Sequence, residues 1–178
     1  MVRRMRDLPF PAAWTVDQAL REYLAENGFT REGYDEKTTP ASFLGVKFSV
    51  PNTPTHRWGI MLHDLHHVAT GFGTDLVGEG EISAWEARGG LRQLGLYVGG
   101  IIASGTMVGF IGAPRRALAA FRSGKRGRVL WAMNANYNDL LAMTVGELRA
   151  MLGVAAEGLA TLPRKRHVHA PAESPPGR

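Results

Sequence analysis

The chain has 178 residues, of which 44% are hydrophobic, so it is long enough to form one domain with a sizeable core. Lys and Arg outnumber Asp and Glu by 21 to 16, and the net charge of +5 favours anionic partners: phosphorylated ligands, acidic lipid surfaces or nucleic acid. The absence of cysteine excludes disulfides, thiolate metal ligands and a cysteine nucleophile, and it fits a reducing cytosol.

Both ends of the chain are predicted to lie outside the folded part. Residues 1–14 are basic but lack the apolar run of a signal peptide, and Pro9 and Pro11 interrupt any helix there, so we expect an irregular arm. The tail, residues 163–178, is proline-rich and charged, which predicts disorder. Between them we expect one helical, metal-binding domain, residues 15–162, in a protein that stays in the cytoplasm.

The first predicted helix begins at Thr15, because Thr15 followed by Gln18 is typical of a capping box. Asn27-Gly28 supplies a left-handed end to it. The apolar run from Phe43 to Val50 is compatible with an extended segment or with one buried helical turn.

No residue from Gln93 to Pro114 is charged, which is the usual signal of a membrane-spanning helix of about 20 apolar residues. The run contains six glycines and is therefore less apolar than a typical span, so we favour a buried helix. The steps Gly95 to Gly99 and Gly105 to Gly109 allow close helix contact in either setting, or a groove for a lipid tail.

Residues 115–128 form a basic run without any acid. The run fits either a solvated helix end and loop or a patch that binds lipid phosphates and an anionic membrane surface. We expect no nucleic-acid partner, because no known nucleic-acid motif accompanies the run. Its basic residues are Arg115, Arg116, Arg122, Lys125, Arg126 and Arg128.

Two more helices complete the predicted fold. One covers residues 129–143, and the last begins at the second capping box, formed by Thr144 and Glu147. The sequence shows no internal repeat and no second domain. The predicted fold class is therefore all-α, a single-domain compact helical bundle.

The segment from His63 to Glu79, HDLHHVATGFGTDLVGE, holds four candidate metal ligands. His63 and His67 share one face of a helix, and Asp64 lies about 60° round from His67. A glycine-rich turn then lets the chain fold back, so that Glu79 can open the next helix and complete the set. Two imidazoles and two carboxylates suit Zn²⁺, and also Fe²⁺ or Mn²⁺.

Two neighbouring residues are candidates for handling protons. His66 lies on the other side of His63, where it is either a packing residue, a support for the ligands or a catalytic group. Glu86 follows Glu79 by two helical turns, and it is either a supporting carboxylate, a base or an ordinary surface glutamate.

The adjacent His63 and Asp64 are also similar to the metal-binding pair of the HD phosphohydrolases. That family adds an earlier histidine on another helix and a distant downstream aspartate. Here His56 lies only seven residues before His63, on one predicted helix that begins near Thr55 and continues into the histidines, so this family remains an alternative only.

The spacing His63-Asp64-x-x-His67-x11-Glu79 resembles the signature of the fourth coenzyme-Q-biosynthesis protein family. The segment from His67 to Phe72 resembles the family's H-V-L-T-G-Y, and Glu86 falls where many members have another glutamate. The resemblance covers most of residues 15–154 and is most specific at 63–79.

This resemblance implies an all-helical fold with zinc or another divalent ion at the four matching positions. It implies ubiquinone biosynthesis at the membrane surface, other pathway proteins as partners, and an apolar surface for a polyprenyl tail. The implied reaction removes the C1 carboxylate of a 4-hydroxy-3-methoxy-5-polyprenylbenzoate ring, as a lyase, and hydroxylates that carbon. A non-catalytic lipid-binding scaffold is the alternative. Without a mitochondrial presequence, we expect a bacterial homologue, peripheral on the inner membrane, with a homodimer as a further expectation.

Overall fold

The computed structural model describes residues 9–43 and 46–160, with the side chains of residues 40–48 left aside. The helices are α1 (Val16–Asn27), α2 (Pro54–Thr70), α3 (Leu76–Gly89), α4 (Gly95–Gly112), α5 (Pro114–Ser123), α6 (Tyr137–Ala142) and α7 (Val145–Leu152), and the strands are β1 (Thr38–Phe43) and β2 (Val46–Pro51). Helices dominate and pack into one domain, so the all-α prediction is confirmed. The predicted tail, 163–178, lies outside the described residues, as does the arm before residue 9.

The predicted helix ends are confirmed where a side chain or a glycine defines them. Thr15 accepts a hydrogen bond from the backbone N–H of Gln18 at the start of α1, and Gly28 ends that helix with a φ of 71°. At α7, the Thr144 hydroxyl accepts from the Glu147 N–H, and the Glu147 carboxylate accepts from the Thr144 N–H, which forms a complete capping box.

Helix α2 lies at the centre of the domain and packs against α1, α3, α4 and α7. One fully buried side chain from each of four helices illustrates this core: Leu20 of α1, Leu65 of α2, Ile82 of α3 and Leu148 of α7. Burial of such side chains removes apolar surface from water, which holds α2 between α1 and α3. The histidines of α2 are thereby placed in a rigid part of the fold.

The described residues of the apolar run from Phe43 to Val50, namely Phe43 and residues 46–50, are extended and belong to the two strands. β1 and β2 pair antiparallel, with Thr38 opposite Pro51 and Phe43 opposite Val46. A turn of 3₁₀ helix, Glu32–Asp35, precedes this hairpin.

The single helix predicted for residues 129–143 is wrong. The segment instead forms a 3₁₀ turn, Leu130–Ala132, followed by the short helix α6. Asn134 takes a left-handed φ of 50°, and the Asn136 side chain accepts from the N–H groups that open α6, so local hydrogen bonds replace a continuous helix.

The prediction that residues 93–114 form a buried helix is also wrong. The span Arg92–Gly112 is long and apolar enough to cross a membrane, yet only 22% of its most apolar 18-residue window is buried. Leu96 is 98% exposed. Helix α4 is exposed because it packs against α3 through its glycines, and no described residue covers its opposite face.

The contact between α3 and α4 depends on glycine. A Cβ on Gly109 would lie 2.8 Å from the Cα of Gly80, and one on Gly105 would lie 2.5 Å from the Ser83 Oγ. Real Cβ atoms essentially never come this close to a non-bonded atom, so the two helices could not keep this separation with larger residues.

Gly109→Ala is therefore expected to lower the free energy of unfolding by about 2–3 kcal/mol, because the helices must move apart. Gly100→Ala is the matched control on the same helix, since a Cβ there meets no atom within 4 Å. It should raise the free energy of unfolding by up to about 1 kcal/mol through better helix propensity. Urea denaturation of both variants tests this, and equal effects would contradict the glycine contact.

Candidate metal centre

The turn between α2 and α3 brings the candidate ligands together. Gly71 takes a φ of 83° after α2, which lets the chain reverse. The Asp75 carboxylate then caps α3 by accepting from two backbone N–H groups of its first turn. A Cβ on Gly78 would lie 2.2 Å from the Gly73 carbonyl oxygen, so only glycine permits this close turn. Glu79 follows immediately and faces α2.

Three of the four predicted ligands converge. The Nε2 atoms of His63 and His67 lie 3.1 Å apart, and each lies 3.5 Å from a carboxylate oxygen of Glu79. All three groups offer ligand atoms within 4.8 Å of one another. Ligand atoms bound about 2.0–2.1 Å from a tetrahedral ion are spaced about 3.3 Å apart. These three side chains could therefore hold one metal ion.

Hydrogen bonds on the far side of each ring decide which nitrogen faces the cluster. The Nδ1 of His67 lies 2.9 Å from the backbone oxygen of Phe72, which can only accept, so Nδ1 carries the proton. The Nδ1 of His63 donates likewise to the Glu86 carboxylate over 2.8 Å. When His63 is neutral, both Nε2 atoms present lone pairs to each other, which is unfavourable unless a proton or a metal ion lies between them. This donor set fits a metal ion, since metal-binding histidines usually donate their second N–H in this way.

The charges around the cluster reinforce this fit. Partial burial raises the pKa of Glu79, but the neighbouring His67 and His63 outweigh it and hold that pKa below its usual range. Burial lowers the pKa of His63, yet the carboxylates of Glu86 and Glu79 raise it well above the usual value. The cluster therefore attracts positive charge, and a bound metal ion would displace a proton from it.

Asp64 is not a member of the converging group. Its buried carboxylate instead accepts hydrogen bonds from the hydroxyls of Tyr23, at 3.2 Å, and Tyr34, at 2.5 Å. Burial raises the pKa of Asp64, although the nearby His63 and both hydroxyl groups oppose this. The ring of Tyr23 also stacks on His67, with centroids 5.4 Å apart. The sequence interpretation missed both tyrosines, because Tyr23 belongs to an apolar stripe and Tyr34 to a loop.

Glu86 and His66, the predicted proton-handling candidates, both lie behind His63 and are 0% exposed. One oxygen of Glu86 accepts from the Nδ1 atoms of His63 and His66, each at 2.8 Å. Burial raises the pKa of Glu86, but the charge of His63 and these two hydrogen bonds lower it to about 2. Neither residue is exposed to a substrate, and Glu86 is placed to orient His63 while His66 is placed to hold Glu86.

The surroundings of His66 fix its orientation in turn. Its Nε2 accepts from the backbone N–H of Leu130 at 3.0 Å, and its ring packs edge-on against Trp85 and Trp131. A chain of hydrogen bonds therefore runs from the 3₁₀ turn Leu130–Ala132 through His66 to the carboxylate that holds His63. The sequence signal that could have found this role is the three-residue step between two histidines of one helix.

Glu86→Gln is expected to weaken metal binding by about 10–100-fold, because the amide orients His63 less firmly than a carboxylate. Glu81→Gln is the matched control, since Glu81 is a buried carboxylate of the same helix whose partner is Arg116. Titration with Zn²⁺ against a chromophoric chelator measures both. If the control loses as much affinity as Glu86→Gln, the effect comes from the stability of α3.

The HD phosphohydrolase arrangement finds no support in this part of the fold. His56 lies in the first turn of α2, where its ring meets Tyr97 edge-on with centroids 5.7 Å apart, and it does not join the cluster. Throughout residues 9–43 and 46–160, no second group of His, Asp or Glu could hold a metal ion.

The chain was compared with protein-family models, curated proteins and solved structures, and none of them matches it. The chemistry of the cluster and the motif spacing therefore carry the functional argument.

Proposed function

We propose that this protein is a metal-dependent enzyme of ubiquinone (isoprenoid quinone) biosynthesis, acting on C1 of a 4-hydroxy-3-methoxy-5-polyprenylbenzoate ring. The observation that carries the proposal is the convergence of His63, His67 and Glu79, at the spacing that resembles the signature of the coenzyme Q family. Zn²⁺ is the first candidate ion, and Fe²⁺ or Mn²⁺ fits the same nitrogen and oxygen donors.

His63 and His67 would hold the ion through Nε2, and Glu79 through its carboxylate. When bound, the ion supplies Lewis-acid stabilisation of negative charge on a carboxylate or phenolate oxygen. The Glu79 side chain is 42% exposed, so the cluster is open on that side and a ring can approach it. Asp64, the fourth ligand predicted from the sequence, would not bind the ion in this arrangement, because the hydroxyls of Tyr23 and Tyr34 hold its carboxylate.

The proposed reaction breaks the bond between C1 and the carboxyl group, which leaves as CO₂, and forms a C–O bond at C1. Dioxygen is the oxidant and accepts two electrons. Overall, the ring acid, O₂ and water give the C1 phenol, CO₂ and hydrogen peroxide. The orienting role falls to Glu86 and His66, which keep the imidazole of His63 turned towards the cluster.

The direct test supplies the purified protein with Zn²⁺, Fe²⁺ or Mn²⁺, air and a short-chain prenylated substrate, and follows the C1-hydroxylated product by mass spectrometry. The enzyme hypothesis is supported if the unchanged protein forms this product and the His67→Ala variant does not. No turnover with any of the three metals would count against it. Deleting the gene in the host tests the pathway, because a C1-carboxylated prenyl ring should accumulate there.

A non-catalytic scaffold that holds a prenyl lipid for a quinone-biosynthesis complex is the second candidate. The exposed apolar side of α4 favours it, since a lipid-binding protein needs such a surface. If the protein is a scaffold, the His63→Ala variant should fold, bind lipid and restore quinone synthesis to a deletion strain. If it is an enzyme, the same variant should fold and bind lipid but should not restore synthesis.

A further inference from the structure

The exposed side of α4 is an apolar surface on a helix without any charged residue. Leu96 is 98% exposed, Ile111 is 77% exposed and Met107 is 59% exposed. We call these three residues, together with the half-exposed Tyr97 and Ile101, the α4 face. Large exposed apolar patches mark sites that bind a protein, a ligand or a membrane.

The chain segment that contains the α4 face carries charges of one sign only. Residues 87–138 contain eight Arg or Lys residues and no Asp or Glu. Exposed Arg92 lies directly before α4, and exposed Arg115 and Arg122 follow it on α5. Arg116 is paired with the buried Glu81 and contributes less to this field. An apolar surface with a basic flank is complementary to lipid tails beneath anionic headgroups.

The packing of α4 determines how it can meet a bilayer. Gly109 and Gly105 hold α4 against Gly80 and Ser83 of α3, and α5 packs on both helices. Helix α3 carries the buried carboxylate of Glu86, which has no place in hydrocarbon. Helix α4 therefore cannot cross the bilayer while it keeps these contacts, although its length would allow it.

We propose that the α4 face docks in the plane of an anionic lipid bilayer, with Arg92, Arg115 and Arg122 at the headgroups. Amphipathic helices of this kind lie about 5–10 Å deep at the boundary between headgroups and acyl chains. A second copy of the chain is a poorer occupant, because it would bring the same excess of positive charge to the contact.

The consequence for the metal centre rests on the proposed function. Glu79 directly precedes Gly80, which touches Gly109 of α4, so the candidate metal ligands and the docking helix belong to one packed unit. A prenylated ring could then reach the cluster while its tail stays in the lipid.

Flotation of the full, metal-free chain with vesicles tests the docking itself. We expect binding to vesicles of phosphatidylcholine with 30% phosphatidylglycerol, and at least about tenfold weaker binding to pure phosphatidylcholine. Ile111→Glu should reduce binding to the anionic vesicles by about tenfold or more. Phe29→Glu, an equal change at an exposed phenylalanine outside α4, should leave binding unchanged.

Three outcomes would overturn the proposal. These are no binding to anionic vesicles, equal losses in both variants, and resistance to alkaline carbonate extraction, which would indicate a spanning helix. A dimer that Ile111→Glu dissociates, without vesicle binding, would assign the face to a second copy. Because no metal is present in this test, its result is independent of the outcome of the turnover test.

Discussion

Replacing His67 with alanine is expected to lower the affinity for Zn²⁺ by about a hundredfold to a thousandfold. Structural zinc sites of four ligands bind with about 10–16 kcal/mol, so each ligand contributes about 2.5–4 kcal/mol. His67 is nearly fully buried, its Nδ1 is held by the Phe72 carbonyl, and its Nε2 points to His63 and Glu79. Among the described residues, His63, His67 and Glu79 are the only group of His, Asp or Glu that could hold a metal ion, so the loss of His67 leaves two ligands.

His56→Ala is the matched control for this prediction. His56 is a buried histidine of the same helix that contacts Tyr97 and lies outside the cluster. Competition with a chromophoric chelator should show unchanged affinity for His56→Ala, while circular dichroism confirms that both variants are folded. Unchanged affinity in His67→Ala would exclude the site described here.

The second large effect is expected at Arg149, which is 1% exposed and donates to three backbone carbonyls. Its guanidinium reaches Ala69 at the end of α2, Ala156 after α7 and Phe10 in the N-terminal segment, over 2.8–2.9 Å. Arg149→Met leaves these carbonyls without a donor while keeping most of the side-chain volume. We expect a loss of about 3 kcal/mol in the free energy of unfolding.

Arg128→Met tests the reasoning for Arg149. Arg128 donates to the single carbonyl of Met151 from an exposed position, where water can replace it. Its loss should change the free energy of unfolding by less than about 0.5 kcal/mol. If urea denaturation gives equal values for both arginines, the three hydrogen bonds of Arg149 do not stabilise the fold as proposed.

Local chemistry made several features of the fold readable from the sequence. Thr15 and Gly28 define the two ends of α1, and Thr144 with Glu147 defines the start of α7. Each of these residues bonds to a group no more than four residues away along the chain. The same holds for the i, i+4 step that places His63 and His67 on one face. Short-range geometry of this kind needs no knowledge of the rest of the chain.

The position of α4 could not be read in the same way. The uncharged, apolar pattern of α4 is compatible with a buried helix, a membrane-spanning helix and a helix exposed beside α3. The glycine-to-glycine approach of Gly109 and Gly80 depends on which helix comes to lie next to α4, and that choice is made by the whole core. The broken segment after Val129 is a similar case, because the Leu130 N–H is bound by His66, 64 residues earlier.

Sequence patterns alone predicted the all-α class, both ends of α1, the start of α7 and the pairing of two histidines with a later glutamate. They did not predict that α3 begins at Leu76, three residues before Glu79. Tertiary structure alone decided that Asp64 turns to Tyr23 and Tyr34, and that Glu86 and His66 lie behind His63. The two kinds of feature differ in how far apart along the chain the interacting residues lie. A helix face and a capping side chain are set by neighbours a few residues away, whereas a buried carboxylate takes whichever donors the packing of distant segments brings to it.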